Sequence, residues 1–246
     1  MLRLSTFSIA ARCERTGMFG VAVSTAVPGV GTLCPFGAPG AGAVATQSWV
    51  NPYLGIDGVK LLAQGMSAEE TLRKLLADDP GREDRQVGVV DSKGGSAAWT
   101  GSQCVPWAGH ITGDNFSAQG NMLVGEATVE AMAEAFTKAE ALDLPERLLV
   151  ALEAGQAAGG DKRGKQSAAI KVYHTEEYPY CELRVDEHRY PVAELRRVFE
   201  VARHQLFPFV QGLPSRANVL GGIGDDVATM LLKPPPFRPG GGGGTV

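Results

Sequence analysis

The chain has 246 residues, of which 44% are apolar and 20% charged, and a formal net charge of −4. That length suits one large domain or two small ones with a real core, and the acidic balance argues against a protein that binds nucleic acid by neutralising phosphates. No run approaches the ~18 apolar residues of a membrane helix, and Arg12 interrupts the apolar stretch near the N-terminus, so neither a membrane partner nor a signal peptide is read here.

In chain order, Thr6 to Arg12 and Met18 to Val27 read as a strand pair around the turn "CERTG". "PGVGTLCPFGAPGAG" reads as a crossing punctuated by glycine and proline, and "GAVATQSW" as a third strand, small on one face. A helix near Asp57 to Gln64 follows, and a second opens at "SAEE", where Ser67 and Glu70 have capping-box spacing. "RQVGVVDSKGGSAAWTG" predicts a hairpin about Lys93-Gly94-Gly95. After a loop, "CVPWAGHITGDN", come a short strand "FSAQGNM" and helices over Glu126 to Leu142 and Pro145 to Ala158. "GQAAGGDKRGKQ" is a polar loop, "SAAIKVYH" and "CELRV" are strands, and Val192 to Phe207 is a helix. The tail from Lys233, "KPPPFRPGGGGGTV", has a composition that cannot form a core. Runs of strands alternating with pairs of helices suit an α+β arrangement of antiparallel sheets with helices layered on them.

Cys13, Cys34, Cys104 and Cys181 show no CxxC spacing and no complementary histidine pair, so no metal site is expected; they read as free thiols of a cytoplasmic protein. Gly159, Gly164 and Lys165 have the spacing of a phosphate-binding loop, but Gln166 stands where that motif needs Ser or Thr. The loop also runs from helix to strand, the reverse of what presents a helix N-terminus to a phosphate. It reads instead as a polar connection whose Asp161 and Arg163 can line a site. A serine triad has little support: no GxSxG elbow occurs, and of the histidines only His110 lies in a loop of the kind that carries active sites. Thr6 is either a strand residue or a nucleophile. As the first residue of a chain, its own α-amine, of pKa about 7.7–8, could take the hydroxyl proton.

"TFSIAAR", "TGMFGVAVST", "GAGAVATQSWVNP", "GREDRQVGVVD", "TGSQCVPWAGH", "SAQGNML" and "LEAGQAAGGDKRGKQSAA" occur in that order. Together they resemble a family of bacterial and archaeal proteins placed in the N-terminal nucleophile (Ntn) hydrolase superfamily, beside the proteasome β-subunit type. The resemblance spans Thr6 to Val185 and implies a four-layer αββα sandwich, two antiparallel sheets between helix layers. It also implies hydrolysis of the amide C–N bond of a small molecule, without a cofactor, by Thr6 once residues 1–5 are removed; a later start would put Ser5 first. Ser24 and Gln47 would orient the nucleophile, Asn121 would stabilise the oxyanion, and Asn51, His110, Asp161 and Arg163 would bind substrate. The alternative is a non-catalytic member of the fold, a binding or assembly module. The expected organisation is an Ntn-like domain over 1–187, a helical extension over 188–232 and a disordered tail over 233–246, with a homodimer as the assembly.

Overall fold

The alternating N-terminal segment folds as the expected hairpin. In the computed structural model, which describes residues 6–233, β1 (Thr6–Arg12) and β2 (Phe19–Thr25) run antiparallel, with Thr6 opposite Thr25. Then come β3 (Pro35–Ala38), β4 (Gly42–Ser48), α1 (Pro52–Ala63), α2 (Ala68–Ala77), β5 (Arg85–Asp91) and β6 (Ser96–Thr100). They are followed by β7 (Gly109–Gly113), β8 (Phe116–Asn121), α3 (Ala127–Lys138), α4 (Leu144–Ala157), β9 (Ser167–Tyr173) and β10 (Cys181–Val185). The C-terminal helices are α5 (Pro191–Gln205), α6 (Phe207–Gln211) and α7 (Asp225–Leu231). The removal of residues 1–5 concerns residues outside those described, as does the tail beyond residue 233.

The sequence reading did not resolve α6 and α7 within the C-terminal extension, and three elements of the sandwich differ from it. The proline- and glycine-rich crossing contains β3, and the loop around His110 contains β7, which pairs with β8. Helix α1 starts at Pro52, five residues before Asp57, because Asn51 caps it: the Asn51 side chain accepts from the Tyr53 N–H, and Pro52 takes the first turn, where no N–H is needed. The Ser67–Glu70 capping box of α2 forms in both directions.

The strands make two antiparallel sheets, one of six strands in the order β10-β9-β2-β1-β8-β7 and one of four in the order β3-β4-β5-β6. Period-two alternation gives each sheet two differently committed faces. Outward from the four-stranded sheet, Val44, Val87 and Val89 meet Leu54 and Leu62 of α1 and Leu72 and Leu75 of α2 in one apolar cluster. On the far side of the six-stranded sheet, α3 and α4 cover β1, β2 and β8. There the glycines bring backbones close: a Cβ on Gly20 would lie 2.9 Å from Leu148 Cδ1, and one on Gly155 3.2 Å from the Phe7 ring. Each fully buried Leu or Phe contributes about 1.5–3 kcal/mol. The layering is therefore helix, sheet, sheet, helix: an α+β, αββα sandwich.

The chain divides into two compact units, Met1–Leu195 and Arg196–Val246. Within the second, Phe199 and Phe207 stack edge to face at 5.6 Å between centroids. No helix among the described residues is long and apolar enough to cross a membrane.

Candidate functional site

The inner faces of the two sheets carry the chemistry. Thr6 opens β1, an interior strand of the six-stranded sheet, with Thr25 beside it on β2 and Asn121 beside it on β8. Its side chain faces the other sheet and is only 4% exposed. Thr6 Oγ lies 3.2 Å from Thr25 Oγ, and the Gln47 amide of β4 reaches across the sandwich to donate to the Thr6 carbonyl at 3.2 Å.

Gln47 belongs to a buried network of carboxamides whose orientations are fixed by groups of one polarity. Gln86 Nε2 meets the carbonyls of Gly109 at 3.0 Å and Gly120 at 2.8 Å, which only accept, so its Oε1 must turn to donors. Those donors are Gln47 Nε2 at 2.8 Å and Asn121 Nδ2 at 2.9 Å. Gln119 is set in the same way, donating to the Ser8 carbonyl and hydroxyl and accepting from Ser117. Gly88 makes room for it: a Cβ there would lie 2.1 Å from Gln119 Oε1.

Of the residues singled out in the sequence, Thr6, Gln47 and Asn121 come together here. Asp161 and Arg163 join them at the rim. Asp161 accepts from the Ala26 N–H next to Thr25 and pairs with Arg163 at 3.0 Å, while the following Lys162 N–H donates to Met122 O beside Asn121. Ser24 does not join. It pairs with Phe7, which faces the helices, and its hydroxyl donates to the Ser167 carbonyl; the hydroxyl that meets Thr6 is that of Thr25. Asn51 does not join either. It caps α1, donates to Asp79 and accepts at its carbonyl from Thr46, which faces the helix side of β4, behind Gln47.

His110 touches the network only at its end. Thr100 Oγ accepts from Gln86 Nε2 at 2.9 Å and shares a further hydrogen bond with His110 Nδ1, also at 2.9 Å. Packing around the ring disfavours its charged form and lowers its pKa. Cys34, within 3.9 Å of Gln47 Oε1, is no rival nucleophile: burial, only partly opposed by hydrogen bonds from Ser8 and Thr46, pushes its thiol up to about 12. Among the described residues no group of three or more His, Cys, Asp or Glu could hold a metal.

Sequence reading left Ser24 or Thr25 open on the second strand and settled on Ser24, and it missed Gln86 and Gln119. The available signal was a glutamine in each of three otherwise small or apolar strands, in "ATQS", "RQVGVV" and "SAQG".

Comparison with known proteins places this architecture. No curated protein matches the chain. The crystal structure of protein SPO2555 from Silicibacter pomeroyi matches with a TM-score of 0.81 and 31% identity, over 89% of this chain and all of that one. Anbu (ancestral beta-subunit) from Yersinia bercovieri aligns over 82% of this chain and 96% of its own at 14% identity, with a TM-score of 0.34, too low to bear on the fold. Residues 6–195 match the model of a family described as "Family of unknown function (DUF1028)", the same family given for the Silicibacter protein, and the chain belongs to it.

Proposed function

We propose that this protein is an Ntn-type amidohydrolase in which Thr6, as first residue of the processed chain, cleaves an amide C–N bond of a small molecule. One observation carries the reading: the threonine that the sequence nominates begins an interior strand, faces the inter-sheet space and has its carbonyl held by a carboxamide from the opposite sheet. The groups hydrogen-bonded to Thr6 there, Thr25 and Gln47, are neutral, so the base in this scheme is the Thr6 α-amine. Thr6 Oγ attacks the amide carbonyl while the amine takes its proton. Asn121 and backbone N–H groups stabilise the oxyanion. The proton passes to the departing amine, an ester remains on Thr6, and water activated by the same α-amine releases the acid. Arg163, held by Asp161 at the rim, receives a carboxylate on the substrate.

The same neutrality favours a second reading, a binding module on this fold. With residues 1–5 attached, the Thr6 nitrogen is an amide and cannot act as a base. Intact-mass measurement separates the two. A species beginning at Thr6 that releases amine from an amide panel, and loses the activity at least about a thousandfold in Thr6→Ala, supports the enzyme. A uniform population retaining residues 1–5, inactive on that panel, supports the binding module.

A further inference from the structure

A second site follows from the unequal widths of the sheets. Ala169 of β9 lies in the inter-sheet core, so Lys171 and Tyr173 on the same strand point the same way, as do Glu182 and Arg184 of β10, the cross-strand partners of Lys171 and Ala169. The smaller sheet ends at β3, which packs against β2 and β9 of the larger sheet, one strand short of its outermost strand, β10. The overhang opens a cleft of about 400 Å³, with these polar side chains on one wall and Phe36, Ile56 and Val59 among those of the other. It lies well along the sheet from Thr6: Ser167 is the β9 residue in register with Thr25, and Lys171 is four residues further on.

Three glycines keep the cleft open. A Cβ would lie 2.9 Å from Arg184 Cγ at Gly31, 3.0 Å from Tyr173 Cδ2 at Gly37 and 2.1 Å from the Phe36 ring at Gly55. Each lets a lining side chain lie back against backbone. The charged wall also has donors to spare. Arg184 uses Nε and Nη2 on Asp186, and its Nη1 has no partner among the described residues. Lys171 Nζ, only 3.3 Å from Glu182, retains further protons. The Lys171 and Arg184 side chains are 22% and 31% exposed, so both are partly desolvated. As diagonal neighbours on adjacent strands they can share one anion.

We propose that this cleft is a second, non-catalytic small-molecule site, separate from Thr6, for a carboxylate attached to an apolar ring. The carboxylate accepts from Arg184 Nη1 and Lys171 Nζ, and the ring lies on Phe36, Ile56 and Val59. The probe is 3-phenylpropanoate, followed by titration calorimetry at low ionic strength with the full chain. Saturable binding in the millimolar range or tighter is expected, with phenethylamine, a cation on the same ring, at least about tenfold weaker. Lys171→Met and Arg184→Met each weaken binding about tenfold, the scale of one charged hydrogen bond. Ile56→Glu, at a surface position that is 39% exposed and so tolerant of change, does the same without disturbing the fold. Thr6→Ala leaves binding unchanged. Absence of saturable binding, equal binding of phenethylamine, or indifference to Lys171→Met and Ile56→Glu overturns the proposal. Loss of binding in Thr6→Ala does so too, since it puts the anion at the other site.

Discussion

The space between the sheets is filled in two ways. On one side Ala10, Val21, Val23, Ala43, Ala45 and Val90 interlock as an apolar core. On the other, Gln47 and Gln86, further along β4 and β5, and Gln119 and Asn121 of β8 bring together carboxamides that are all at most 2% exposed. The apolar half is held by shape, and any side chains of matching volume would serve nearly as well. The polar half is held by direction. Each amide is buried at a desolvation cost that only correctly aimed hydrogen bonds offset. Thr6 sits in the half where orientation, and not volume alone, is specified.

Breaking one hub should show the contrast most strongly. Gln86→Leu removes the hydrogen bonds that Gln86 makes with Gln47, Asn121 and the Gly109 and Gly120 carbonyls, and at about 1–3 kcal/mol per buried bond lost we expect a loss of about 4 kcal/mol in urea denaturation. Gly88→Ala drives a methyl into Gln119 Oε1 and should cost about 3 kcal/mol. Adding Gln119→Ser should recover part of that, a non-additivity that a double-mutant cycle measures. In the apolar half, Val90→Ala removes two methyls from a packed site and should cost about 2 kcal/mol; a loss equal to that of Gln86→Leu would erase the distinction between the halves. The smallest effect lies at the exposed end of the polar half. Because the folded state lowers the His110 pKa below its ordinary 6.5, His110 leaves stability undiminished above that pH and lowers it as pH falls through the folded-state value. NMR titration should find the ring pKa below 6.5, and His110→Gln should flatten this part of the pH–stability profile.

Much of this arrangement was legible in the sequence, and the failures have physical causes. β1 and β10 were read to the residue because an alternating run bounded by turn residues marks a strand. β3 and β7 escaped because "PFGA" and "GHITG" are short and rich in breakers, and what holds them is pairing with β4 and β8. The first turns of α1 escaped because Gly55 and Gly58 interrupt its apolar stripe. Both are small for a tertiary reason, with the Phe36 ring and Val44 lying against them. Of the candidate residues, Thr6, Gln47 and Asn121 lie together, whereas Ser24 was chosen where Thr25 makes the contact with Thr6. One residue along a strand reverses the face, and a strand buried on both sides, as "FGVAVST" is, gives no pattern to choose by. Gln86 was passed over for a related reason: its role is made across two sheets, and locally it shows only as a glutamine in an otherwise apolar strand.

Gly88 has a consequence for the family's history. With only 2.1 Å between its would-be Cβ and Gln119 Oε1, the two positions cannot drift independently. Relatives that keep a glutamine at the second are expected to keep glycine at the first, and a lineage that gains a side chain at the first is expected to have shortened the second already. An alignment of the family should therefore show these two columns changing together, with the smaller residue at the second position appearing first along any branch that lost the glycine.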